Sequence, residues 1–200
     1  MILNLLKSIK RKKEVKDWEK RGKTPPTPQL IKQEAVMGYA EHYNIDTLIE
    51  TGTYTGDMVE AVKDTFNNIY SIELSEKLYW KCRKRFEFRK SSFPSINLFC
   101  GDSSKELPKI LAIPRMLKSR RLFWLDAHYS GGETARGDLE TPIVEELKII
   151  LNDNPKHIIL IDDARCFNGK NDYPKIEFVK QYVSKFGKKM DIIDDIIRIV

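Results

Sequence analysis

The sequence predicts an α/β fold, a three-layer sandwich built on a mostly parallel seven-stranded sheet with a C-terminal antiparallel hairpin strand. Three observations predict it. Short apolar runs alternate with helical patterns from residue 46 to residue 187, the rhythm of parallel strands joined by crossover helices. The run Asp46-Thr47-Leu48-Ile49-Glu50 leads into Gly52 and Gly56 and then into Met58, Val59 and Val62, a strand, glycine turn and helix of the kind that holds a nucleoside. The chain closes on two β-branched runs, 190–193 and 196–200, around Asp194-Asp195, which reads as a hairpin with a two-residue turn.

In chain order, Ile2, Leu3, Leu5, Leu6 and Ile9 stand at roughly helical spacing before a basic run. Thr24-Pro25-Pro26-Thr27-Pro28 is a stiff connector. Residues 1–25 are therefore expected to form a basic N-terminal helical appendage with a Pro-rich linker, and residues 26–200 the main domain. A helix over 29–43 precedes the first strand, 46–50. Then follow helix 57–66, strand 69–73, helix 76–88, strand 96–100, a short helix near 104–112 and strand 121–126. A Gly-rich loop at 130–137 precedes helix 142–151, strand 157–162 and helix 174–186. Prolines open the last two helices, and Gly187 stops the second.

Two hundred residues suit one domain with a full core. No apolar run approaches the roughly 20 residues that span a bilayer. Three scattered cysteines, Cys82, Cys100 and Cys166, point to reduced thiols and a cytoplasmic protein. The net charge of +6 is local: residues 1–25 hold nine basic and three acidic groups, and the rest of the chain balances. A nucleic-acid enzyme more often spreads basic charge over its catalytic face, so nucleic acid is not the expected partner. The basic segment suits peripheral contact with an anionic membrane through residues 1–20, or packing on the domain or a second copy in a homo-oligomer.

The turn Gly52-Thr53-Tyr54-Thr55-Gly56 lacks the middle glycine of a dinucleotide fingerprint. A second strand ends in Glu73, and Gly101-Asp102-Ser103 follows the third. Glu-x-Gly-x-x-x-Gly with these later acids resembles the class I S-adenosylmethionine-dependent methyltransferases, a Rossmann-like family, over roughly residues 30–200. The resemblance implies that Glu50, Gly52, Thr53 and Gly56 serve the methionine part of the cofactor. It places Glu73 at the ribose hydroxyls, and Asp102 with Ser103 beside the adenine. Tyr54 stands where many members keep glycine, but the macrocin-type sugar O-methyltransferases share the form seen here.

The fourth strand ends in Asp126-Ala127-His128, and the fifth in Asp162-Asp163. Carboxyl ends of neighbouring parallel strands meet at the ligand crevice, where three carboxylates repel one another unless a cation compensates. Oxygen-rich sites suit Mg²⁺, Ca²⁺ or Mn²⁺. Because strand side chains alternate between faces, Asp162 and Asp163 reach one ion only if the strand has ended and the chain turns. The arrangement again resembles the macrocin-type enzymes and implies a divalent cation, Mg²⁺ first, on Asp126, Asp162 and Asp163. Such an ion would acidify an acceptor hydroxyl, with Asp126 and His128 as catalytic groups and His128 taking the proton. Residues 129–137 read as a substrate loop or lid. Arg136 and Arg165 either clamp an anionic acceptor or pair with the acidic cluster.

The expected activity is a metal-assisted O-methyl transfer from S-adenosylmethionine to a sugar, glycan or other polyhydroxylated small molecule. Two alternatives share the pattern: a metal enzyme of the same fold with other chemistry, and a nucleic-acid methyltransferase or RNA-binding protein using the basic N-terminus. The residues after the fourth strand are Asp126-Ala127-His128-Tyr129, where base-modifying members usually carry an Asn/Asp-Pro-Pro-aromatic loop.

Overall fold

The sheet runs β3-β2-β1-β4-β5-β7-β6 in a computed structural model that describes residues 2–87, 94–114, 120–127 and 141–200, with only the backbone of residues 2–8. The strands are β1 (Thr47–Thr51), β2 (Asn68–Glu73), β3 (Ser95–Cys100), β4 (Leu122–Leu125), β5 (Ile158–Ile161), β6 (Met190–Ile193) and β7 (Ile196–Ile199). β1 to β5 pair in parallel, and β7 enters antiparallel between β5 and β6. The seven-stranded mixed sheet and its reversed terminal hairpin are as the sequence predicts. Asp194 and Asp195 both adopt positive φ, 54° and 59°, the turn geometry whose twist matches that of the flanking strands.

The helices are α1 (Ile2–Lys20), α2 (Gln29–His42), α3 (Asp57–Val62), α4 (Glu76–Phe86), α5 (Ser103–Leu111), α6 (Ile143–Asp153) and α7 (Ile176–Ser184). Strand alternation sorts them into two layers. Leu48, Leu122, Trp124, Ile158 and Leu160 face α2, α3 and α4, and Ile49, Phe123, Leu125, Ile159 and Ile161 face α5, α6 and α7. Both layers are built from side chains almost wholly removed from water, which makes burial the main stabilising force. Helix α3 stops four residues before the expected 66, because the chain turns through 63–65 to bury Phe66. Helix α7 buries Val179 and Val183, while Phe178 is exposed and stacks on Tyr182 at 6.1 Å.

The N-terminal segment is tied to this body. Trp18 near the end of α1 is, with Trp124, one of the two largest fully buried side chains among the described residues, 1% exposed. Beyond it, the Thr27 hydroxyl donates to the Asp194 carbonyl at 2.7 Å, and Lys23 pairs with the Asp194 carboxylate at 3.7 Å. The linker is thereby hooked to the hairpin tip.

At the amino ends of the strands, Arg121 is 1% exposed rather than part of a solvated basic face, and pairs with Asp153 at 3.1 Å. Buried His157 accepts the Arg121 amide at Nδ1 (3.2 Å), so its Nε2 carries the hydrogen and donates to Asp153 (2.9 Å). Burial depresses this imidazole to about 4 despite the Asp153 bond. The group is a neutral latch between β4, β5 and α6, at the opposite end of the sheet from the predicted site.

Candidate active site

The register carries four acids to the carboxyl edge on one face. Glu50 and Glu73 follow Leu48 and Ile69 in strand alternation, and Asp126 and Asp162 follow Trp124 and Leu160. All four therefore lie on the α2 side of the sheet.

Glu50 is 1% exposed and takes a hydrogen bond from the Ser71 hydroxyl. Ser71 Oγ lies 2.6 Å from Thr53 Oγ1. A hydroxyl has one proton, so with Glu50 ionised the order is Thr53 to Ser71 to Glu50. Burial pushes the Glu50 carboxyl up to about 8 against the pull of Ser71, and the charges of Asp126 and Glu73 add to the rise. Glu73 is 6% exposed and accepts the amides of Tyr54 (2.7 Å) and Ser75 (2.8 Å). Burial raises it above its ordinary value, and these amides hold it back.

Four amides of the glycine turn bond within the fold: Gly52 and Thr53 donate to the Ile72 carbonyl (2.9 and 3.2 Å), Tyr54 to Glu73, and Gly56 to the Thr53 carbonyl (2.8 Å). Gly52 (φ +87°) is needed because a Cβ would meet the Asp126 backbone, and Gly56 (φ +76°) because one would meet the Phe86 ring. Tyr54 holds φ +49° with a side chain 53% exposed. The turn is a joint between β1, β2, β4 and α4.

Asp102 caps α5, accepting the Ser104 amide (2.9 Å) and hydroxyl (2.7 Å). Next to it, on the other face of the sheet, three buried polar atoms lack a hydrogen bond of normal geometry: Thr51 Oγ1, Ser103 Oγ and Glu146 Oε1. Burial pushes Glu146 up to about 7, opposed by the Ser103 and Thr51 hydroxyls and reinforced by the charges of Asp102 and Asp126.

The acidic pair ends β5. The strand stops at Ile161 and Asp163 takes φ +55°, so the chain turns and both carboxylates approach one cation. That cation is Lys32 of α2. Its ammonium pairs with Asp162 Oδ2 and lies 3.7 Å from Asp163 Oδ1. Burial alone would lower the Lys32 ammonium, but Asp162, assisted by Asp126 and Asp163, keeps it above its usual value. Asp162 Oδ1 accepts the Asp163 amide at 2.8 Å, and Arg165 binds Asp163 at 2.7 Å and also Asp195. Arg165 thus pairs with the acidic cluster, the second of its two expected roles.

The divalent ion expected on Asp126, Asp162 and Asp163 does not fit this arrangement, since Lys32 already holds Asp162 Oδ2 and Arg165 holds Asp163 Oδ1. Among the described residues no group of three or more His, Cys, Asp and Glu side chains is gathered to hold a metal. His128, Arg136 and the loop 129–137 lie outside the described residues.

Sequence reasoning missed Lys32 and Glu146, although both left a signal. Lys32, Val36 and Ala40 recur every four residues, and Glu146 stands with Ile143, Leu147 and Ile150 at i, i+3, i+4 and i+7 on α6. A charge on an otherwise apolar helical stripe is a charge drawn inward.

No family model and no curated protein matches the chain. Solved structures do. The SAH-bound methyltransferase PaMTH1 of Podospora anserina superposes at a TM-score of 0.55 and 16% identity, covering 96% of this chain and 86% of its own. TomG, an O-methyltransferase from Streptomyces achromogenes involved in tomaymycin synthesis and solved with SAM, gives 0.56 at 13%, covering 94% and 87%. An O-methyltransferase of Bacillus cereus in complex with SAH gives 0.54 at 13%, covering 95% and 89%. The fold is that of the class I methyltransferases. Among the described residues no helix is long and apolar enough to cross a membrane.

Proposed function

We propose that this chain is an S-adenosylmethionine-dependent O-methyltransferase acting on a sugar or another polyhydroxylated small molecule. The observation that carries the reading is the row of strand-end acids, Glu50, Glu73, Asp126 and Asp162, on one face of a fold shared with SAM- and SAH-bound O-methyltransferases. The cofactor fits the groups present. Glu73 keeps lone pairs beyond the amides of Tyr54 and Ser75 for ribose hydroxyls.

When bound, the cofactor supplies an electrophilic methyl group on a cationic sulfur. That chemistry would leave the chain's own residues to orient the acceptor hydroxyl and to take the proton it gives up on methylation. A bound cation would draw the Glu50 carboxyl, which burial raises to about 8, toward its charged form and would be stabilised by it. Asp126, two residues before His128 in sequence, is the residue we assign to orienting the acceptor hydroxyl, and His128 the one we assign to its proton. The exposed lysines of α1, Lys10, Lys12, Lys13, Lys16 and Lys20, suit an anionic membrane surface near the acceptor.

Native mass spectrometry of the purified chain tests the class. S-adenosylmethionine or its demethylated product should copurify or bind when added. Retention of NAD in their place would overturn the reading.

A further inference from the structure

The carboxylates at the ends of β4 and β5 call for positive charge, and the chain supplies it from its own helix. Lys32 and Asp162 are 7% and 4% exposed. The lysine stem runs in the apolar stripe of α2 with Val36 and Ala40, so the ammonium cannot swing to solvent without leaving the core. Both Asp162 oxygens are engaged, one by Lys32 and one by the Asp163 amide, and Asp163 Oδ1 is held by Arg165.

We propose that the ammonium of Lys32 is the resident counter-charge of this site, standing in the place of a divalent ion, so that Asp126, Asp162 and Asp163 take no such ion while Lys32 is present. Mg²⁺ requires near-octahedral oxygens at about 2.0–2.1 Å. Here Asp162 Oδ2 faces an ammonium and Asp163 Oδ1 a guanidinium, and an entering dication would meet like charge at close range. Lys32 is a positioning residue: it fixes the two aspartates at the crevice edge and balances the charge of Asp126. The charge balance stands on geometry alone. Its catalytic consequence, methyl transfer that gains nothing from added divalent cation, rests on the function proposed above.

The test is an electron paramagnetic resonance titration of the full chain with Mn²⁺, with no acceptor present. Wild type and Lys32→Arg should leave Mn²⁺ in its free signal. Lys32→Met should bind it at least about tenfold more tightly than wild type, and adding Asp162→Asn should remove the gain. Should Lys32→Met fail to fold, Lys32→Gln keeps the length and polarity and serves the same arm. Specific Mn²⁺ binding by wild type that Asp162→Asn removes would overturn the proposal, as would a folded Lys32 variant with no gain. Calorimetry of S-adenosylmethionine binding to the same samples reports separately on the functional reading.

Discussion

Gly52 and Asp126 touch through their backbones: a Cβ on Gly52 would stand 2.4 Å from the Asp126 carbonyl oxygen. The first turn and the end of the fourth strand are thus one rigid unit, and the cofactor-side and acceptor-side acids keep fixed spacing.

Gly52→Ala should therefore weaken the fold and the site together. The left-handed φ alone costs about 1–2 kcal/mol for a residue with a side chain, and the overlap with Asp126 adds to it. Urea unfolding and S-adenosylmethionine calorimetry should both register the change. Lost binding at an unchanged urea midpoint would mean that the glycine faces the cofactor rather than β4.

Glu73→Ala should remove about 1.5–3 kcal/mol of S-adenosylmethionine binding, the scale of hydrogen bonds to a charged group. It also unpairs the Tyr54 and Ser75 amides, so the turn should exchange its amide hydrogens faster. Unchanged affinity in a calorimeter would take Glu73 out of the cofactor site.

Glu146 predicts a pH dependence of stability. Its folded value, about 7, lies above the ordinary 4.5, so the folded state holds the proton more tightly than the unfolded chain does. Its contribution is full below about 4.5, falls as pH rises, and is lost above about 7. The difference between the ends of that window is about 3 kcal/mol. Glu146→Gln should lack the fall and be more stable than wild type at pH 8 but not at pH 4. Parallel stability profiles for the two proteins would refute this.

Trp18→Ala should cost about 3–5 kcal/mol, the range for deleting a buried tryptophan, and release α1 from α2. Limited proteolysis should then cut between residues 10 and 23. A cost below about 1 kcal/mol would make α1 a peripheral attachment.

The sheet was legible because each strand advertises itself twice, by an apolar run and by the acid or glycine that ends it. Glu50, Glu73, Asp126 and Asp162 could be placed on one edge from strand order alone. The partners of those acids could not. Lys32 precedes Asp162 by 130 residues, and no local pattern reveals which cation a carboxylate will meet. The glycine turn was legible as a turn, but the packing of Gly52 on Asp126 and of Gly56 on Phe86 was not, because both partners lie far along the chain. Trp18 was hidden by the lysines around it, because one aromatic on a charged helix gives almost no periodic signal.

That separation of 130 residues also sets a timetable. During synthesis Lys32 emerges long before the strand that will neutralise it, and at a typical 5–20 residues per second the wait is on the order of ten seconds. Until β5 arrives, α2 carries an ammonium that cannot be enclosed without severe loss of hydration. The layer that α2 forms with α3 and α4 gains its matching charge only when β5 is in place, so the Lys32–Asp162 pair ties closure of the crevice to the arrival of the fifth strand.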